Sequence, residues 1–187
     1  RFESIIWNYG IDVPASVSLF TREGLLVCQS DTRSNCFPEP QYVVFYHEWR
    51  TMDSSTGYAQ GGKTLTIRGA GFEVGSASYK CNFSSAEHQA SVHATVTLPF
   101  ELLCVTPAWT HSAQTTVVSI HKGDQEIPFM GGNVSSSHFH FLEAWDTIST
   151  AAVAISANGV QQAHGPARGS TRIFISGGGF DIQESTY

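Results

Sequence analysis

The chain has 187 residues, 41% hydrophobic and only 14% charged, with 10 Lys and Arg against 16 Asp and Glu for a formal net charge of −6. That is enough apolar material for a packed core, so a disordered tail is excluded, and the lack of a basic run rules out a phosphate-backbone binder, so nucleic acid is no partner. No apolar run reaches the roughly 18 residues of a membrane helix, and a secretion address, if the chain is exported, is expected outside these residues.

Along the chain, strands are predicted wherever apolar and polar residues alternate between turn-forming residues. The first such run is "SVSLF", Ser16 to Phe20, followed by "GLLVCQSD" from Gly24. Cys28 and Cys36 flank a short turn whose span allows a disulfide; Cys36 free, or Cys28 paired outside the chain, are the alternatives. "YVVFYHEW" then ends at Trp49, and "RTMDSSTGYAQ" reads as a short linker. "TLTIRG", Thr64 to Gly69, is a strand closing on Gly69-Ala70-Gly71-Phe72. A dinucleotide loop fails there, because the third glycine is wrongly spaced, no helix follows and no acidic ribose partner is in place. The glycines are expected to supply positive φ and a bulge where the strand bends.

Tyr79-x-Cys81-x-Phe83 and Leu103-Cys104-x-x-Pro107-x-Trp109 come next. A Cys81–Cys104 disulfide, with Trp109 packed against it, would stabilise by about 3 kcal/mol. No helix start or basic cluster adjoins these thiols to make them reactive. "SVHATVTL" at 91–98, "TTVVSI" at 115–120 and "HFHFLEAW" at 138–145 are further strands, with Gly123-Asp124 as a hairpin turn. Asn82-Phe83-Ser84 and Asn133-Val134-Ser135 are N-glycosylation sequons. With disulfides, they point to an extracellular or cell-surface location.

His138 and His140 share a strand face that could hold a metal, but spacing supplies no third ligand, so a solvated face is expected and metal binding is not. A G-x-S-x-G elbow, an HExxH helix and an EF-hand loop are absent, and Glu101, Asp124 and Glu143 fall in separate turns and strands. No catalytic residues and no cofactor are expected; the chain reads as a non-enzyme. Trp7, Trp49, Trp109 and Trp145 could form a sugar platform, but the recurrence of Trp49 and Trp145 favours packing.

That recurrence organises the whole chain. Gly61 to Tyr79 overlays Gly169 to Tyr187, matching Leu65 with Ile173, Ile67 with Ile175, Gly69 with Gly177, Gly71 with Gly179 and Phe72 with Phe180. "YVVFYHEW" overlays "HFHFLEAW", and the segment after the tryptophan is longer the second time, as expected of a surface loop. A third overlay sets Gly24–Asp31 on Phe100–Trp109 and pairs Cys28 with Cys104. It also places Arg1-Phe2 just beyond a missing cysteine, so that Tyr187, two residues ending in Cys, and Arg1-Phe2 would together restore Y-x-C-x-F.

The combination "GGKTLTIRGAGF", "YKCNF", "LLCVTPAW" and "FHF" resembles the IPT/TIG family of immunoglobulin-like domains. The resemblance implies an all-β chain of tandem immunoglobulin-like sandwiches: residues 1–50 the back part of one repeat, 51–146 a complete repeat, and 147–187 the front part of another. It also implies arrays such as receptor stalks of the plexin and hepatocyte-growth-factor-receptor type, large surface proteins, or accessory modules of secreted enzymes. The leading expectation is a non-enzymatic, glycosylated extracellular protein forming a stalk, surface coat or filament. Its partners would be adjacent repeats or subunits, completing the end parts in cis or in trans. A receptor or adhesion ectodomain that binds a protein or carbohydrate is the alternative, with the loop between Trp145 and Gly169 as its candidate binding element.

Overall fold

The computed structural model of the chain describes residues 44–76, 78–150 and 163–181, and the backbone of 14–17, 20–21, 24–25, 41–43, 153–155 and 161–162. Among these residues the structure is almost wholly strand, as the alternating runs predict, with one turn of 3-10 helix at Val134–Ser137. Strands β1 (Pro14–Val17), β2 (Phe20–Thr21), β3 (Gly24–Leu25) and β4 (Gln41–Val44) come first. The centre is built by β5 (Glu48–Met52), β6 (Thr56–Tyr58), β7 (Thr64–Ala70), β8 (Tyr79–Ser84), β9 (Gln89–Leu98), β10 (Glu101–Val105), β11 (Thr115–Lys122), β12 (Gln125–Ile127) and β13 (His138–Leu142). Beyond it lie β14 (Ala144–Thr150), β15 (Val153–Ile155), β16 (Gln161–Ala163) and β17 (Ile173–Gly178).

The central strands follow the order β5-β7-β10-β9-β8-β11-β13-β6, with β12 added to β11. This path folds over on itself because β9 is long enough to serve two partners. Its first half pairs with β8 from Gln89 to His93, and its second half with β10 from Ala94 to Leu98. The two halves of the sheet therefore fold over one core, in the manner of a sandwich. Period-two alternation supplies that core. Tyr79, Cys81 and Phe83 of β8 and Val118 and Ile120 of β11 are buried, as are Phe139 and Phe141 of β13. Against them lie Leu65 and Ile67 of β7 and Leu102 and Cys104 of β10. Full burial of each large apolar side chain contributes roughly 1.5–3 kcal/mol.

The Cys81–Cys104 disulfide forms as expected, joining β8 to β10 across the core with 6.3 Å between the Cα atoms. Trp109, expected beside it, lies in the same buried cluster, its ring stacked on Phe141 at 4.9 Å and 9°. The indole Nε1 donates to the carbonyl of Ser112 at 3.1 Å, which satisfies its one polar atom.

Two readings of the sequence change. The central sandwich runs from β5 at Glu48 to β13 ending at Leu142. Within it "RTMDSSTGYAQ" is not a linker, because it holds the end of β5 and all of β6. Strand β6 was hidden because it pairs parallel to the distant β13, Thr56 with His140 through Tyr58 with Leu142.

The second change concerns the strands before the sandwich. β4 pairs with β1 as β13 pairs with β11, Val43 facing Ala15 as Phe139 faces Thr116. The β2/β3 hairpin, with Phe20 facing Leu25, repeats β11/β12, with His121 facing Glu126. In its pairing Gly24-Leu25 therefore corresponds to β12 and not β10. The expected match of Cys28 with Cys104 and the restoration of Y-x-C-x-F by Tyr187 and Arg1-Phe2 concern residues outside the described ones. Cys28 and Cys36 themselves, and Trp7, lie outside the described residues.

Candidate functional site

With no catalytic constellation in the sequence, the structural feature that bears on function is the place where the central sandwich meets the strands after it. One residue past β13 the chain enters β14, which pairs antiparallel with β17. That pair repeats β5/β7 in register. Trp145 faces Gly177 and, after a bulge, Thr147 faces Ser176, as Trp49 faces Gly69 and Thr51 faces Arg68. The bulge that the sequence put in the glycine-rich strand sits on the strand opposite. The glycine is needed because a Cβ on Gly69 would lie 2.1 Å from the carbonyl of Glu48, and one on Gly177 2.1 Å from that of Ala144.

The second glycine of the motif serves the joint. Gly179, at φ +80°, turns its carbonyl to accept from the Ala113 amide at 2.7 Å. A Cβ on it would meet the methyl of Ala59 at 3.0 Å and the Cα of Glu143 at 3.2 Å, so the two backbones approach as only glycine allows. Ala59 is anchored on the sandwich side, its amide donating to Leu142 at 2.9 Å and its carbonyl accepting from Trp109 at 2.7 Å. Gln60 completes the contact. Its Nε2 donates to the carbonyl of Ala144 at 3.2 Å and to Asp146 Oδ1 at 2.9 Å. A cleft of about 580 Å³ lined by Tyr58, Gln60, Glu143, Trp145 and Asp146 runs beside it.

The other residues singled out in the sequence are dispersed. Asn82 faces outward in the middle of β8, between Ser91 of β9 and Ser119 of β11. Asn133 is exposed and caps the 3-10 turn, its Oδ1 accepting from the Ser135 amide at 3.0 Å. His138 and His140 face outward on β13, with His140 Nδ1 3.0 Å from Thr115 Oγ1. Among the described residues no three His, Cys, Asp or Glu side chains are grouped to hold a metal. At the opposite end of the sandwich the buried Tyr79 hydroxyl accepts from the Glu73 amide at 3.0 Å. Burial pushes its pKa up, opposed by that hydrogen bond and by Lys122, whose Nζ pairs with Glu73 at 2.5 Å.

The IPT/TIG domain model matches residues 50–141, the span of the central sandwich. This segment is an IPT/TIG domain. Its glycine strand, disulfide and closing strand are thus the family pattern, and the joint described above lies at the edge of the domain. Among solved structures, the full extracellular region of plexin A4 is similar to the chain at 12% identity and a TM-score of 0.42. The match covers 86% of this chain and 20% of that one, so the chain spans about a fifth of its length. No curated protein matches the chain. Sequence reasoning missed Ala59, Gln60 and Asp146; only the repeated glycine pattern pointed to the joint.

Proposed function

We propose that the chain is a non-enzymatic, extracellular structural segment in which IPT/TIG sandwiches follow one another to form a stalk, surface coat or filament. One observation carries this reading. A second copy of the opening strand pair begins directly after β13 and is clamped to the end of the sandwich by Gly179, Ala113 and Gln60. A joint held by main-chain contacts sets the angle between neighbours, which is what a rigid spacer requires. The partners are therefore adjacent repeats or further copies. The buried Cys81–Cys104 bridge supports an oxidising, extracellular setting. The scattering of Glu101, Asp124 and Glu143 over separate strands and turns supports a role without catalysis.

A receptor-type or adhesion ectodomain is the second reading, favoured by the IPT/TIG domain itself. Its expected binding element, between Trp145 and Gly169, falls partly outside the described residues. Negative-stain microscopy with light scattering separates the two. Fibres or regular arrays that grow with concentration are expected of the structural protein, and dispersed monomers at every concentration would overturn it in favour of the receptor.

A further inference from the structure

We propose that Asn82 carries an N-linked glycan that covers the outer face of the β9–β8–β11 half of the sandwich. The proposal rests on the extracellular reading above and goes beyond it by assigning a modified atom and a shielded surface.

The strand makes the site. Alternation along β8 turns Phe83, the middle residue of the sequon, wholly into the core and sends Asn82 and Ser84 outward. Asparagine in the central strand of a sheet is ordinarily crowded, since directly opposed Cβ atoms lie about 4.5–5.5 Å apart. Here both neighbours are serines: Ser91 stands opposite Asn82 on β9 and Ser119 opposite it on β11. Three strands thus share a shallow polar trough with the asparagine at its centre. Larger side chains stand in the next row, where Lys80 lies between His93 and His121. On the other side Ser84 lies between Gln89 and Val117. All but Val117 are polar, which suits the hydroxyls and amide of an N-acetylglucosamine better than the apolar core of a protein interface. Among the described residues the Asn82 side chain makes no hydrogen bond, in contrast to Asn133, so its amide is not committed elsewhere.

The chemistry is a glycosyl transfer from a polyprenyl-diphosphate oligosaccharide. Asn82 Nδ2 bonds to the anomeric carbon, the bond from that carbon to the diphosphate oxygen breaks, the lipid diphosphate departs with the electron pair, and Nδ2 gives up one proton. The transfer takes place on the emerging chain, before β9 and β11 flank the strand. The outward orientation of Asn82 then lets the sheet close with the sugar outside.

The test is production of the chain in secretory eukaryotic cells, with intact and peptide masses before and after enzymatic deglycosylation in oxygen-18 water. Asn82 is expected to be occupied. Asn82→Gln and, independently, Ser84→Ala are each expected to remove one glycan without blocking secretion or the Cys81–Cys104 bridge. Covalent labelling of Lys80 and His93 is expected to rise several-fold in N82Q. Asn82 found bare in secreted, disulfide-bonded protein whose Asn133 is occupied would overturn the proposal and leave the extracellular reading intact. Equal labelling of Lys80 and His93 with and without the glycan would overturn the covering of the face. A retained chain with reduced cysteines and both sequons bare would overturn the extracellular reading, and the proposal with it.

Discussion

The strand pairs β5/β7 and β14/β17 are two versions of one design. They share the tryptophan opposite glycine, the bulge that follows and the glycine at φ +80°. Their surroundings differ. Trp49 is 1% exposed and tilts against Phe129 at 4.5 Å, whereas Trp145 is 65% exposed. Leu65 and Ile67 are wholly buried, while their counterparts Ile173 and Ile175 are more than half exposed. Local sequence therefore specifies the paired strands, the bulge and the close glycine contact, but burial comes only from a facing sheet. The central pair has β8, β11 and β13 opposite it, tied across by Cys81–Cys104. Among the described residues the buried core is thus concentrated between Glu48 and Leu142.

The sharpest way to break this comparison is to truncate both tryptophans. Trp49→Ala empties a filled core site and should cost about 3–5 kcal/mol. Trp145→Ala should cost within about 0.5 kcal/mol, as exposed substitutions do. Urea unfolding followed through the core fluorescence measures both, and equal losses would erase the distinction. Next in size is the disulfide. Replacing Cys81 and Cys104 together by Ala should cost about 3 kcal/mol for a loop of this length, lowering the denaturant midpoint of the sandwich.

A smaller effect comes from Tyr79. Its folded pKa is raised above 10.0, so this contribution to stability is complete below pH 10 and is lost as pH rises beyond it, because the unfolded phenol ionises first. Tyr79→Phe should lose about 1 kcal/mol at neutral pH by leaving the Glu73 amide without its acceptor. Its stability should then stay flatter than the parent's between pH 10 and 11 in a thermal-melt series. The least effect is expected at the partly exposed Arg68–Glu101 pair, 3.2 Å apart on β7 and β10. Glu101→Gln should change stability by about 0.5 kcal/mol or less, and salt should remove the difference.

Much of this was legible in the residues. Alternation located β7, β9, β11 and β13 because each strand has one dry face, and the Gly69/Gly177 repeat was visible because only glycine tolerates that backbone contact. What escaped the sequence was pairing between distant segments. "GLLVC" was set on "ELLCV" because short apolar words recur by chance, and only the β2/β3 register paired its Gly24-Leu25 as β12 is paired. The parallel pairing of β6 and the Gln60–Asp146 bond join residues far apart in the chain, and no local pattern announces either.

The central claim is that one strand pair is locked by a core and its copy is not. Native-state hydrogen exchange on the intact chain tests it most directly. The amides of Leu65 and Ile67 should exchange only through global unfolding of the sandwich, while those of Ile173 and Ile175 exchange through local opening, orders of magnitude faster. Equal protection of the two pairs, lost together in one transition, would contradict the account.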